Sequence, residues 1–203
     1  MLHLTIRVLV CFIVFFIFAY KINTSKLRHR RRWLALTGIG AILLYALIYF
    51  IPVENLFITF DTPEDAYFYT HQTEKVEDVV YGQDSCLIVG EDSYGFISKK
   101  GDGYKLSSFL TFPQDIVFEK TNKGFMHVYK VTGTNDCYLW GTMLASAAIV
   151  EVSDEKDSEI KVLPDQDRNE PHPVFVYGVL RHFEKGDAIY LSGVYEDIKI
   201  VLS

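Results

Sequence analysis

Residues 21–32, KINTSKLRHRRR, carry six basic side chains (Lys21, Lys26, Arg28, Arg30, Arg31 and Arg32) and no acid. Apolar runs flank them on both sides. The first extends from Leu2 to Tyr20 and is densest at Val8–Ala19, VLVCFIVFFIFA. The second, Trp33–Ile51, is 19 uncharged residues, close to the ~20 that cross a hydrocarbon core. The pattern predicts a transmembrane helical hairpin with spans at residues 3–20 and 33–51. Moving six positive charges across a bilayer is unfavourable, so loop 21–32 is expected to stay cytoplasmic. Both termini, and all of residues 52–203, are then expected outside the cell membrane.

Two alternatives fail on the residues themselves. A cleaved signal peptide needs an A-x-A-like site, and the first run ends in FAYK. A lipoprotein signal needs its cysteine after the apolar run, whereas Cys11 lies within it. Arg7 is near enough to the end of that run to reach the headgroups. Gly38, Gly40 and Ala41 are expected to let the two helices approach closely.

Charge divides the chain in the same way. Residues 1–51 hold seven basic residues and no acid, while residues 52–203 hold 13 basic and 26 acidic residues, a net −13. An acidic outer part is a poor match for nucleic acid or for an anionic lipid surface. Its 152 residues are enough for a core without metal or disulfide support.

Beyond Pro52 the composition favours strands. LFITF (Leu56–Phe60) has strand character. Thr62-Pro63-Glu64-Asp65 then carries helix-start signals: an N-cap threonine, proline at the first helical position and acids in the first turn. A short helix to near Gln72 follows, and it is expected to pack on a sheet. Strands are predicted at Val76–Tyr81, Cys86–Val89, Tyr94–Ser98, Tyr104–Leu106, Ile116–Glu119, Phe125–Val131, Cys137–Trp140, Ala147–Val152, Val174–Arg181, Ala188–Leu191 and Ile198–Leu202. The polar segments GQDS, GEDS, KKGDG, TGTND and EKGD supply turns between them. Thr142–Ala148 is compatible with strand or helix, and Ser153–Pro173 reads as a flexible excursion. The fold class is therefore a membrane-anchored, mainly β (α+β) chain of antiparallel strands with one short helix.

Motifs that carry chemistry are few. Cys86 and Cys137 fall on separate predicted strands; they could form a disulfide worth roughly 4 kcal/mol or remain two buried thiols. Asp165, Asp167 and Asn169 imitate the start of a calcium loop, but Glu170 and Val176 stand where Gly and Glu are needed. The six histidines show neither HExxH nor a zinc spacing. His127 alternates onto one sheet face and reads as structural. Gly101-Asp102-Gly103 belongs to a turn, and no G-x-S-x-G is present. No catalytic residue, metal ligand or cofactor is therefore assigned.

The stretch PVENLFITFDTPEDAYFY resembles the start of the outer domain in a group of uncharacterised small membrane proteins of Gram-positive bacteria. VFVYGVLRHF and AIYLSGVYEDIKIVL are similar to their Tyr-rich final sheet, although Ser192-Gly193 departs from the NGK-like hairpin found there. The resemblance implies a Gram-positive cell membrane and carries no activity.

The expectation is a membrane-anchored binding or interaction module whose partners are the bilayer and another membrane or cell-envelope protein. An immunity or accessory subunit of a membrane complex is one form of it. A hydrolase-like extracytoplasmic enzyme is the competing class, opposed by the absence of any motif at catalytic spacing.

Overall fold

An uninterrupted apolar segment can satisfy its backbone internally only as a helix, and both amino-terminal runs do so. The computed structural model describes residues 2–25, 29–50, 52–91, 93–107, 112–144, 149–163, 173–193 and 197–203. Helix α1 spans Leu2–Thr24 and α2 spans Arg30–Phe50. They lie antiparallel, with Phe18 and Ile22 near Trp33 and Val8 and Cys11 near Tyr45. Leu9, Phe12, Phe16, Ile39, Ile42 and Leu43 point outward. By length and composition, both helices can cross a membrane.

Two details differ from expectation. Both helices continue into the basic segment, so Lys21 lies within α1 while Arg30, Arg31 and Arg32 begin α2. Hydropathy marks where side chains change, not where backbone hydrogen bonding stops: Ser25 N still donates to Lys21 O at 3.1 Å and Trp33 N to His29 O at 3.2 Å. Lys26 and Arg28 fall outside the described residues. Gly38 and Gly40 face open space, so neither sets the helix spacing.

The expected strand at Leu56–Phe60 is not formed. Val53–Leu56 is a short 3-10 turn, and Phe60 meets the sheet only through a single bridge to Tyr104. Glu54 O accepts from both Phe57 N and Ile58 N, which closes the turn. Asn55 then pairs with Leu106 in both directions, Nδ2 to O at 2.8 Å and Oδ1 from N at 2.9 Å. Helix α3, Pro63–Thr70, starts as read: Thr62 Oγ1 accepts from Asp65 N at 3.2 Å, with proline in the first turn.

Among the described residues, twelve strands build three antiparallel sheets. The first sheet has the order β1 (Val76–Tyr81), β2 (Ser85–Gly90), β3 (Tyr94–Lys100), β4 (Gly103–Leu106). The central sheet runs β5 (Pro113–Thr121), β6 (Gly124–Val131), β7 (Cys137–Leu144), β10 (Pro173–Leu180), β9 (Glu159–Leu163). The third consists of β12 (Asp197–Val201), β11 (Ala188–Gly193) and β8 (Ile149–Asp154).

Alternation along each strand stacks these sheets in layers. Ala66 and Tyr67 of α3 pack on Cys86, Ile88, Ile97 and Leu106 of the first sheet. From its other face Leu87, Val89 and Phe96 meet Val131, Tyr138 and Tyr177 of the central sheet. The far side of the central sheet, with Met126, Val128, Leu139 and Val176, packs on Ile189, Leu191 and Ile200 of the third. Strand β2 is thus buried on both faces, which explains the unbroken apolar run CLIV.

The stretch read as flexible holds β9, an edge strand registered on β10 from Glu159–Val179 to Leu163–Phe175. A tight turn after β8 precedes it, where Asp154 Oδ1 accepts from Lys156 N and Ser158 N. Strand β7 takes up Thr142–Leu144, and residues 145–148 lie outside the described residues.

Two carboxylates join the first and central sheets. Asp136, in the β6–β7 turn, is buried and accepts from Gln83 N and Asp84 N at 2.8 Å each and Ser85 Oγ at 2.7 Å. Asp78 on β1 accepts from Lys161 Nζ at 2.9 Å and Tyr177 Oη at 3.0 Å.

The disulfide is not made: Cys86 and Cys137 are free, buried thiols. Cys86 faces α3 while Cys137 faces the third sheet, so two layers separate them.

Burial also sets the alkaline limit of the fold. It raises the hydroxyls of Tyr129, Tyr138 and Tyr177 and pushes Tyr67 and the Cys86 thiol up to about 12. The folded chain keeps these protons where the unfolded chain, with ordinary values near 8.5 for cysteine and about 10 for tyrosine, has lost them. Their contribution is complete below about pH 8 and declines as pH rises through the folded values. The urea midpoint should therefore fall steadily above about pH 9. A midpoint that stays level to about pH 11 would contradict this.

Candidate functional site

A concavity lies where α3 and the first sheet meet the start of β5. It has a volume of about 550 Å³. Arg7 and Pro52 border it on the helix-hairpin side; Tyr67, His71, Tyr94, Phe96 and Tyr129 form its aromatic wall. Each wall residue is placed by a simple periodicity. Tyr67 and His71 are one helical step apart and stack with ring centroids 4.3 Å apart and planes 10° from parallel. Tyr94 and Phe96 alternate on β3 and face β6, where Tyr129 closes the wall. Tyr94 and Tyr129 are joined through their hydroxyls at 3.0 Å.

Behind the wall is a polar network. Tyr67 Oη donates to Glu74 Oε2 at 2.5 Å, Ser93 Oγ donates to the same oxygen at 2.6 Å, and the two hydroxyls are 2.7 Å apart. The bonds from Ser93 and Tyr67 hold the Glu74 carboxyl below its ordinary range. Burial, then Glu74, pushes Tyr67 up to about 12, so this hydroxyl is a hydrogen-bond donor and not a base near neutral pH. Gly90 makes the arrangement possible: a Cβ there would stand 2.5 Å from Tyr67 Oη.

Tyr94 borders a second cavity of about 280 Å³, lined by Val89, Glu91, Ser93, Trp140, Leu163 and Phe175. Its ring is 4.4 Å from Trp140, which in turn is 5.8 Å from Phe175. An aromatic seam thus runs between the first and central sheets. Its signature is in the sequence: Tyr94-x-Phe96, His127-x-Tyr129, Tyr138-x-Trp140 and Phe175-x-Tyr177 all repeat an aromatic ring at alternate positions. Sequence reasoning missed it because such pairs ordinarily read only as strand composition.

At the floor, Arg7 Nε donates to Glu54 Oε1 at 3.0 Å and Oε2 at 3.3 Å. The Glu54 side chain is 0% exposed and that of Arg7 10%. Arg7 therefore turns inward to a carboxylate instead of reaching for headgroups.

The other expected positions give less. His127 Nδ1 pairs with Asp115 Oδ2 at 2.6 Å, its ring flanked by Phe118 and Tyr129. Among the described residues no hydroxyl or thiol is seen to hydrogen-bond to it. His182 sits in a turn with φ 49°, its carbonyl accepting from Lys156 Nζ. Asp165, Asp167, Asn169 and Glu170 lie outside the described residues. Among the described residues, no three His, Cys, Asp or Glu side chains converge as a metal site.

The structure has two apolar amino-terminal helices followed by a β-rich part. Set against protein-family models, curated proteins and solved structures, the chain matches none.

Proposed function

We propose that this chain is a membrane-anchored binding module of the cell membrane, with loop 21–32 in the cytoplasm and residues 52–203 outside. The observation that carries the reading is the aromatic cleft of about 550 Å³ whose border includes Arg7 and Pro52, next to the ends of the helices. An apolar concavity with a few fixed polar groups is the usual form of a ligand site. Its place beside the helix ends suits a partner that is itself held in the membrane, such as a subunit of a membrane complex. The six basic residues of loop 21–32 support the orientation, and the net −13 beyond residue 51 disfavours nucleic acid.

The test is site-specific photocrosslinking in cells. A benzoylphenylalanine in place of Phe112, which is exposed at the rim of the cleft, should give one discrete protein adduct. The same probe in place of Val201, on the third sheet, should give none. The reading fails if Phe112 captures no protein while the purified chain turns over an ester or amide substrate in a His127-dependent way. That result would favour the hydrolase class.

A further inference from the structure

The two most exposed large apolar residues among those described are neighbours, Leu56 at 77% and Phe57 at 83%. They exceed even Ile42 on the outer face of α2, at 71%. A lone exposed leucine needs no explanation, but an adjacent pair on a rigid support does. The support here is the 3-10 turn after α2. Lys105 Nζ reaches across it to Asn55 O at 2.9 Å and Ile58 O at 2.6 Å. With the Asn55–Leu106 pairing and the bonds from Phe57 N and Ile58 N to Glu54 O, the chain on both sides of Leu56 is tied to the turn itself or to β4. Two large hydrophobes are thus held outward by a scaffold that cannot fold them in.

Their depth follows from the ion pair. Glu54, two residues before Leu56, is fastened to Arg7, and Arg7 lies within the apolar segment Thr5–Thr24. The turn is therefore drawn back to the level of the helix ends. We infer that Leu56 and Phe57 enter the boundary between headgroups and acyl chains, forming a third membrane contact that fixes how the β-rich part sits on the bilayer. This rests on the reading of α1 and α2 as membrane spans. The contact is apolar and the Lys105 amine in the turn is engaged by carbonyls, so its strength follows the apolar area buried more than attraction to anionic headgroups.

The test uses the full chain in phosphatidylcholine vesicles with an environment-sensitive NBD label at Phe57→Cys. Phe16→Cys on α1 serves as the membrane control and Val201→Cys on β12 as the aqueous control. The native thiols are buried, so the unsubstituted chain measures background labelling. The label at 57 should emit to the blue of that at 201, and lipids brominated near the headgroup should quench it at least about twofold more than lipids brominated near the chain end. If position 16 is quenched and position 57 behaves like 201, the inference is overturned while the membrane reading stands. If neither 16 nor 57 is quenched, both fall. Circular dichroism of the labelled chains against the unsubstituted one identifies any variant that has lost its fold; Leu56→Cys then replaces Phe57→Cys under the same criteria.

Discussion

Arg7→Ala should lower the stability of the intact chain by about 3–5 kcal/mol, because it strands a carboxylate that protein covers completely. Glu54 then has no cation to pair with and no water to solvate it. The distinctive expectation is the rescue. Glu54→Gln in the Arg7→Ala background should recover most of the loss, since removing both charges removes the uncompensated one. Thermal or urea midpoints of the wild type, the two single variants and the double variant in detergent form the necessary cycle. If the two effects simply add, the side chains act separately and the ion pair is not what joins α1 to the turn at Val53–Leu56. Arg7→Lys should recover only part, because the Arg7 Nε approaches both carboxylate oxygens and a lysine amine has a different reach and geometry.

Asp136→Ala should cost a comparable amount, about 3–5 kcal/mol, by leaving two backbone amides and one hydroxyl of the β1–β2 turn without their acceptor. Asp136→Asn keeps the shape but offers a single carbonyl oxygen, so its penalty should be smaller, about 1–3 kcal/mol. Amide hydrogen exchange provides the local readout. Gln83 and Asp84 should both lose protection in Asp136→Ala, and at least one of them in Asp136→Asn, before the third sheet does. Unchanged exchange at these two amides would mean that the turn is held by something other than this carboxylate.

Those two carboxylates also show where local reading stops. The hairpin turns GQDS and TGTND are both legible as turns, as are most of the strands they connect; β1 at Val76–Tyr81 coincides with the range read from the sequence. The start of α3 is equally legible, since the cap, the proline and the acids act within one helical turn. That the two turns form one structure through Asp136 is not legible, because the partners are 51 to 53 residues apart. The same holds for Asp78 and Tyr177, 99 residues apart, and for Arg7 and Glu54, 47 apart. Strand β9 was hidden for a different reason. It is a short edge strand that carries Glu159 and Lys161, and in an acidic stretch that pattern looks like solvated loop. Leu56–Phe60 failed in the opposite direction: its composition favours a strand, but Glu54 O closes a turn onto Phe57 N and Ile58 N, and the Asn55 side chain takes the place of a strand partner at Leu106. The cleft depended on both kinds of information. Its rings are visible in the sequence, and the layer order that gathers them is not.

The separated positions of Cys86 and Cys137 bear on how the chain matures. Neither thiol has a sulfur to meet, and both are sheltered within cores that assemble around them. Burial raises both thiols, and Cys86 far enough that its reactive thiolate is scarce at neutral pH. Completion of this fold therefore draws no electrons from its surroundings and gives none up. The chain needs neither an oxidase to finish it nor an isomerase to correct it, and reductants find nothing to cleave.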